Sequence, residues 1–393
     1  MPADYSRSAC PVCASEHAWI FLERKRTPVC QNLLLASYAE ARDQPVGCIA
    51  MALCGNCGMA YNRCFQAALV PYGPGYVNAQ TASPAFERYR RGLVRYFLGA
   101  GNVRDRRIAE IGCGDGWLLR ELVNEPRAKN TGLGLDPAYV GPKSETGGRL
   151  RFRAQAFGPG VRLPAVDVVI CRQVIEHLAD PVTFLAALRK SIDQRLGVRV
   201  FFETSCLRWI LRNRVVWDFY YEHCSMFTAA TLRRTFETAG FAPVRTWHAF
   251  GGAYLWIEAQ TAGKVPVRAQ DKPVAILAGD YHKAEVKFLK DWSRRLNRSG
   301  VRAAALWGAG AKGVTFASLF DPERRWLDCV VDGNAGKQGR FLPLTGHEVV
   351  APGELVGRGI KNIIVTNPQY VGEVRSRVRE LGLKCRVIGP HTA

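Results

Sequence analysis

The most constraining feature of this chain is a glycine loop within residues 107–119, which is predicted to join a short apolar strand to a helix. Gly112 and Gly114 allow the backbone to turn sharply and to approach a ligand that a Cβ atom would keep away. Glu110, at the end of the predicted strand, is placed to accept hydrogen bonds from a ligand or from the loop. Asp136 follows the next predicted strand, where α/β nucleotide-binding folds carry an acid that binds ribose. No Lys-Ser or Lys-Thr pair follows the glycines, so the loop is not a P-loop.

The middle of the chain predicts an α/β fold with a doubly wound parallel sheet. Apolar strand-like segments alternate there with helical ones, and Asp180-Pro181 is a typical start of a helix. Ligands of such sheets bind at the carboxyl ends of the strands. Polar residues at these predicted ends are Glu110, Asp136, Arg172, Gln173 and Glu203.

Residues 110–116 resemble motif I of the class I S-adenosylmethionine (SAM) methyltransferases. The resemblance implies a SAM cofactor bound by Glu110, Gly112, Gly114 and Asp136. Gln155, after a further predicted strand, is expected to flank the adenine ring, and Arg172 is a further candidate for cofactor binding. The alternative is a glycine turn in another kind of α/β domain.

Two Cys-x-x-Cys pairs near the start of the chain predict a zinc site. Cys10 and Cys13 form the first pair, and Cys54 and Cys57 form the second. Together they offer four thiolates for a tetrahedral ion, with no position left open for chemistry, so the zinc is expected to be structural. A redox Cys-x-x-Cys is the alternative, although no βαβ pattern surrounds either pair.

A second glycine loop occurs in residues 308–313, again between a predicted strand and a predicted helix. Gly308, Gly310 and Gly313 satisfy the G-x-G-x-x-G pattern, and Asp332 closes the next predicted strand. Taken alone, this loop predicts an NAD-dependent oxidoreductase.

The combination of motifs is similar to the three-domain SAM-dependent C-methyltransferases, including the NDP-hexose 3-C-methyltransferases. The resemblance is carried by the two Cys-x-x-Cys pairs and by residues 110–116, 220–223 and 307–313. It implies a zinc-binding domain in residues 1–67, a SAM-binding methyltransferase domain in residues 68–262 that begins with a lid or connector, and a Rossmann-like domain in residues 273–393. In this family the third domain shapes the substrate cleft and does not transfer hydride, which disfavours the oxidoreductase.

The same resemblance assigns catalytic roles. His223 corresponds to the base, Glu222 and Tyr220 to its partners, His177 to a second active-site histidine and Tyr76 to a lid tyrosine. A histidine with a near-neutral pKa can remove a proton from a carbon beside a carbonyl, and a tyrosine or second histidine can stabilise the resulting enolate. A purely structural histidine is the alternative for both His177 and His223.

The sequence differs from the sugar enzymes in two places, and these differences put a sugar substrate in doubt. Residues 209–219 are aromatic and basic, and the His-Gly-Gly-Ser motif of the sugar enzymes is here Phe250-Gly251-Gly252-Ala253. The predicted reaction is C-methylation of a base-activated carbon in a small secondary metabolite or nucleotide sugar. An aromatic (indole) or keto substrate is the alternative acceptor.

Composition limits the partners. The net charge of +20 is dispersed, without a basic block, so no nucleic-acid partner is expected. No apolar run is long enough to span a bilayer, and the first residues lack a secretion pattern, which predicts a cytoplasmic protein. The expected partner is a small-molecule acceptor, and the oligomeric state is not predicted.

Overall fold

The computed structural model describes residues 7–70, 72–73, 83–192, 197–261, 272–300 and 302–390. Its strands within these residues are β1 (Ala18–Pro28), β2 (Val46–Cys54), β3 (Ala60–Asn62), β4 (Arg107–Ile111), β5 (Thr131–Leu135), β6 (Ser144–Glu145), β7 (Leu150–Arg153), β8 (Val168–Arg172), β9 (Arg199–Ser205), β10 (Ser225–Met226), β11 (Ala242–Ala249), β12 (Tyr254–Gln260), β13 (Ala304–Trp307), β14 (Leu327–Val331), β15 (Val349–Val350), β16 (Asn362–Val365) and β17 (Arg386–Ile388).

Helices cover the central and C-terminal sheets. In the described ranges the α-helices are α1 (Tyr38–Arg42), α2 (Pro84–Leu98), α3 (Trp117–Asn124), α4 (Pro181–Ser191), α5 (Leu207–Asn213), α6 (Ala229–Thr238), α7 (Lys272–Ser299), α8 (Ala311–Phe320) and α9 (Val371–Glu380). Asp180 caps α4 as predicted, because its carboxylate accepts a hydrogen bond from the Thr183 amide at 3.0 Å. In the described part of the chain, no helix has both the length and the apolar character that crossing a membrane requires.

The central sheet has the strand order β11-β12-β9-β8-β4-β5-β7-β6. The five strands β9, β8, β4, β5 and β7 are parallel, as predicted for a doubly wound sheet. An antiparallel hairpin of β11 and β12 extends one edge, and the short antiparallel β6 extends the other. Gly251 and Gly252, with φ of 67° and 89°, lie at the bend between β11 and β12.

Both faces of this sheet are covered. Side chains alternate along β8, so Val168 and Ile170 share a buried cluster with α2 and α3. Val169 and Cys171 point the other way, into a cluster with α4 and α6. Strands that are apolar on both faces are typical of parallel sheets, and this explains the continuous apolar run of β8 in the sequence.

Strand β4 is the point where the sheet changes winding direction. The chain leaves β4 towards β5 on one side and returns later, after β7, to β8 on the other side, so the winding direction reverses at β4. Ligands of doubly wound sheets bind at this position. Residues that follow β4, β5, β8 and β9 therefore open onto one edge of the sheet.

Two smaller sheets flank the central one. The first is antiparallel, in the order β1-β2-β3-β10, and β10 follows His223 directly. The second is parallel, in the order β15-β14-β13-β16-β17. The strand-loop-helix unit predicted around residues 308–313 is present as β13 and α8.

The segment with residues 207–219 packs against both small sheets and their helices. Trp217 is fully buried, and its ring contacts Trp292 of α7 and Phe316 of α8 at centroid distances of 6.1 and 5.4 Å. Its indole Nε1 donates to the Thr366 carbonyl at 3.0 Å. This aromatic side chain, which the sequence associated with an apolar acceptor pocket, is thus part of the protein core. The long helix α7 was not predicted from the sequence.

Candidate active site and metal site

The first glycine loop, which follows β4, requires glycine at specific positions. Gly112, Gly114 and Gly116 have φ of 69°, 56° and 80°, a backbone region that residues with a Cβ atom rarely adopt. A Cβ atom on Gly112 would also lie 2.2 Å from Cγ2 of Val174. The turn that carries His177 therefore packs directly against this loop.

Asp136 and Glu110 line the loop in different ways. The carboxylate of Asp136 accepts hydrogen bonds from the amides of Gly114 and Ala138, both at 2.8 Å. Glu110 is 2% exposed, and its Oε2 has no hydrogen-bond partner among the described residues. Burial raises the pKa of Glu110 to about 8, although Arg172 acts in the opposite direction. A buried acceptor without a partner is costly, and a ligand with N–H groups would satisfy it.

Arg172 and Gln155, also predicted to bind the cofactor, have other surroundings. The guanidinium of Arg172 lies 3.3 Å from Oε1 of Glu203 and 5.0 Å from the ring centroid of Trp117. The hydroxyl of Tyr89 donates to the same carboxylate. Gln155 is exposed in the loop after β7. The cofactor contacts of Arg172 and Gln155 stay predictions.

Three predicted catalytic residues form one aromatic cluster. The rings of His177 and His223 are 4.8 Å apart at an angle of 81°, and those of Tyr220 and His223 are 4.6 Å apart at 79°. The Oε2 of Glu222 lies 3.8 Å from Nδ1 of His177, and its Oε1 accepts a hydrogen bond of 2.6 Å from the Gln31 amide. These residues come from the turn after β8 and from the segment before β10.

Burial keeps both histidines neutral near pH 7. It lowers the pKa of His177 to about 4. Burial also lowers the pKa of His223 well below its usual range, and the neighbouring His177 and Lys312 lower it further. The Nδ1 atom of His223 has no hydrogen-bond partner in the part of the chain that the structure describes. His223 can therefore accept a proton.

A tyrosine of the predicted lid does reach this cluster. The hydroxyl of Tyr72 lies 2.8 Å from Nδ1 of His177, and the two rings are 5.7 Å apart. Tyr76, the predicted lid tyrosine, lies outside the described residues. Tyr72 also lies in the segment predicted to be a lid or connector, but no role was predicted for it.

Two further residues adjoin the cluster and were missed. Tyr220 donates a hydrogen bond of 2.8 Å to Oδ1 of Asp218, and Lys312 forms an ion pair with the same oxygen. Asp218 stands only two residues before Tyr220, which is the sequence signal that could have identified it. Lys312 is in the second glycine loop, almost a hundred residues away, and only the fold brings it here.

The four predicted zinc ligands converge. The Sγ atoms of Cys10, Cys13, Cys54 and Cys57 all lie within 4.8 Å of one another, with the closest pairs at 3.5 and 3.6 Å. Zinc–sulfur bonds of about 2.3 Å in a tetrahedron place the sulfurs about 3.8 Å apart. The donor set therefore fits zinc, and four thiolates would leave it no open position.

The second glycine loop, after β13, makes close contacts with its own neighbours. A Cβ atom on Gly313 would lie 1.9 Å from the Gly308 carbonyl oxygen. The Ala309 amide donates to Asp332 at 2.9 Å. Lys337, which is 8% exposed, donates to the Ala309 carbonyl at 3.3 Å and lies 3.7 Å from the Asp332 carboxylate.

Two family models match the chain. Residues 82–246 match the model described as a methyltransferase domain, and residues 281–383 match the model described as a C-methyltransferase C-terminal domain. The first match contains the glycine loop after β4 and the histidine cluster. The second contains the loop after β13.

Curated relatives match a shorter part. The chain is 30% identical over 128 residues to the ubiquinone biosynthesis O-methyltransferase of Sodalis glossinidius (strain morsitans), which covers 30% of this chain and 47% of that protein. The enzyme of the same name from Yersinia pestis (strain Pestoides F) is 29% identical over 124 residues, with 30% and 48% covered. The chain thus spans about half the length of these curated relatives.

Solved structures that are similar to this chain include two methyltransferases. Magnesium protoporphyrin IX methyltransferase from Synechocystis PCC 6803 is 16% identical, with 45% of this chain and 84% of that chain covered and a TM-score of 0.34. The 1,6-didemethyltoxoflavin-N1-methyltransferase of Burkholderia thailandensis is 17% identical, with 53% and 95% covered and a TM-score of 0.35.

The central sheet with its glycine loop has the α/β fold of the class I SAM methyltransferases, as predicted. Two segments of the chain are thus similar to domains of methyltransferases, and the second of them is similar to the C-terminal domain of C-methyltransferases.

Proposed function

We propose that this protein is a SAM-dependent C-methyltransferase in which His223 removes a proton from the acceptor carbon. The observation that carries the proposal is a buried histidine in ring contact with His177 and Tyr220, whose Nδ1 has no hydrogen-bond partner among the described residues. Val174, which touches Gly112, connects this cluster to the glycine loop.

The residues around the first glycine loop fit SAM. The unpaired Oε2 of buried Glu110 offers an acceptor to the ammonium end of the cofactor, and the glycines leave the backbone open to close approach. Asp136 stands at the end of β5, where such folds bind ribose. When bound, SAM supplies a methyl group on a sulfonium that is already a good leaving group.

The proposed roles of the histidine cluster follow from its charge state. His223 is neutral at pH 7 and so has a nitrogen lone pair that can take a proton, although its lowered pKa makes it a weaker base than a free histidine. His177 is proposed to stabilise the negative oxygen that develops on the acceptor. Tyr220, whose hydroxyl already donates to Asp218, is proposed to hold the ring of His223 in place. The Glu222 carboxylate lies 3.8 Å from Nδ1 of His177, and its own position is set by the hydrogen bond from the Gln31 amide.

For the acceptor we propose a small secondary metabolite or nucleotide sugar, with an aromatic or keto compound as the alternative. Phe250 and Tyr254 support the alternative, because their stacked rings, 5.1 Å apart, lie at the carboxyl edge of the sheet where β12 pairs with the end of β9. Tyr89 adds a third ring, 5.3 Å from that of Phe250. A flat apolar acceptor would be complementary to this surface.

The relatives named ubiquinone biosynthesis O-methyltransferase make O-methylation the second candidate. We also propose a structural zinc held by Cys10, Cys13, Cys54 and Cys57, on the basis of their sulfur distances. An NAD-linked oxidoreductase is disfavoured, since both family models that match the chain describe methyltransferase domains.

The test combines binding and transfer. Calorimetry should detect S-adenosylhomocysteine but not NAD. A panel of a 4-keto nucleotide sugar, an indole, a phenol and a β-keto acid is then incubated with deuteromethyl SAM, and the product is identified by mass spectrometry and NMR, which separates a C-methyl from an O-methyl group. His223→Ala should bind S-adenosylhomocysteine normally and lose about 10²–10⁴-fold in transfer rate.

His282→Ala is the matched control, because this histidine is exposed on α7 and should leave the rate unchanged. Near-normal transfer by the His223 variant would refute the assignment of the base, and an O-methyl product would favour the second candidate. In D2O with S-adenosylhomocysteine, the wild type should also exchange the acidic C–H of the acceptor, whereas the His223 variant should not.

A further inference from the structure

Lys312 connects the second glycine loop to the histidine cluster. It lies in the first turn of α8, and its ammonium forms an ion pair with Oδ1 of Asp218. The side chain of Asp218 is 7% exposed and that of Lys312 is 29% exposed. The Lys312 ammonium therefore supplies a counter-charge to a buried carboxylate.

Asp218 also contacts Tyr220. The Tyr220 hydroxyl donates to the same Oδ1 atom at 2.8 Å, so one carboxylate oxygen receives both groups. The backbone at Asp218 is anchored independently, because the preceding Trp217 is fully buried and bonds to the Thr366 carbonyl. The ring of Tyr220 then contacts that of His223 at 4.6 Å and 79°.

We propose that Lys312 is a positioning residue, whose ammonium holds the Asp218 carboxylate on the Tyr220 hydroxyl and so fixes the phenol ring against His223. The C-terminal glycine loop would thereby serve the methyl-transfer centre through its lysine instead of serving a dinucleotide. This inference rests on the proposed role of His223 as the base.

Charges around the cluster predict how a change at Lys312 reaches His223. The groups that face the cluster are His177 and Tyr72 from one side, Tyr220 and Glu222 from the segment of His223 itself, and the pair of Lys312 and Asp218 from the side of α8. Removing the ammonium takes away a positive charge and leaves the Asp218 carboxylate uncompensated. Both changes favour the protonated imidazole of His223.

The test uses the full-length protein with bound S-adenosylhomocysteine and NMR of labelled histidine and tyrosine rings. Lys312→Met should abolish the cross-peak between the ring protons of Tyr220 and His223 and raise the titration midpoint of His223 by about 1 pH unit. Lys312→Arg, which keeps the charge and the donor, should retain the cross-peak and most of the midpoint. Lys361→Met is the matched control, since it removes an exposed lysine of the same C-terminal region.

Transfer rates give a second readout with whichever acceptor the panel identifies. Lys312→Met should lower kcat about tenfold with the KM for SAM within about twofold, and Lys312→Arg should recover most of the loss. Cross-peak, midpoint and kcat of Lys312→Met equal to those of Lys361→Met would overturn the proposal, as would an arginine variant as impaired as the methionine variant. If the wild type methylates nothing, the proposed function fails, whereas the cross-peak and the titration still decide the role of Lys312.

Discussion

The two glycine loops of this chain share a sequence pattern and differ in what surrounds them. Both follow a parallel strand and have an acid after the next strand, and in both the loop amide binds that acid, Gly114 to Asp136 and Ala309 to Asp332. The first loop lies beside a carboxylate oxygen of Glu110 that is buried and has no hydrogen-bond partner among the described residues. At the second loop, Lys337 donates to the Ala309 carbonyl and lies beside the Asp332 carboxylate. A glycine pattern thus defines a backbone turn, and the neighbouring side chains decide whether that turn can receive a ligand.

Glycine replacement should give the largest contrast between the two loops. Gly112→Ala places a Cβ atom 2.2 Å from Val174 in a backbone conformation that alanine disfavours, so we expect the affinity for S-adenosylhomocysteine to fall at least about 100-fold. Gly313→Ala is equally crowded, at 1.9 Å from the Gly308 carbonyl, but should leave that affinity within about threefold. Calorimetry on both variants checks this. Equal losses in the two would mean that the loops are not functionally distinct.

Replacing the acid at each loop should give a smaller difference in affinity for S-adenosylhomocysteine. Glu110→Gln replaces the acid that we propose to bind the cofactor, and we expect about tenfold weaker binding of S-adenosylhomocysteine, whereas Asp332→Asn should change it less than about twofold. These two affinities, measured by calorimetry, distinguish a carboxylate that serves a ligand from one that serves its own loop. A larger effect at Asp332 would reverse the assignment of the two loops.

The same Glu110 variant makes a prediction about pH. Because burial raises the pKa of Glu110 to about 8, the folded state favours its protonated form, and its contribution to stability is lost as the pH rises from the unfolded value towards 8. Without ligand, the wild type should lose about 2 kcal/mol relative to Glu110→Gln between pH 6 and 8. Urea unfolding at the two pH values measures this difference, and parallel behaviour of the two proteins would contradict the raised pKa.

Zinc removal should give the smallest change in ligand binding at the glycine loops. Cys54 ends β2 and Cys57 lies in the turn between β2 and β3, in the sheet that also includes β10, the strand that closely follows His223. A strong chelator, or Cys54→Ser, should therefore reduce methyl transfer, while S-adenosylhomocysteine binding at the first loop changes less than about threefold. Metal analysis should find about one zinc per chain before treatment. Substantially less would refute the four-cysteine site.

Local sequence patterns predicted those elements whose structure depends on residues close in the sequence. The apolar run of β8, the Asp180 cap of α4, both glycine turns and the convergence of the four cysteines follow from residue type and spacing, and the structure confirms them. Helix α7 was not predicted from the sequence. Trp217 lies in the aromatic segment that put the sugar substrate in doubt, but it is buried in the core. Its burial depends on α7 and α8, which are distant in the sequence.

The candidate site shows the same division. Tyr220, Glu222 and His223 are neighbours in the chain, so a motif predicted them together. Tyr72 and Lys312 join the cluster from elements 105 residues before His177 and 94 residues after Asp218. No local pattern encodes such contacts.

The sequence by itself determined the turns, the strand-helix alternation and the thiolate set, because each depends on backbone preferences and ligand chemistry within a few residues. Only the tertiary structure decided which glycine loop has, among the described residues, an acid oxygen without a hydrogen-bond partner, which histidine is buried and neutral, and which lysine reaches Asp218. The physical reason is that burial and charge pairing depend on what packs against a side chain, and in this fold those neighbours come from three different sheets.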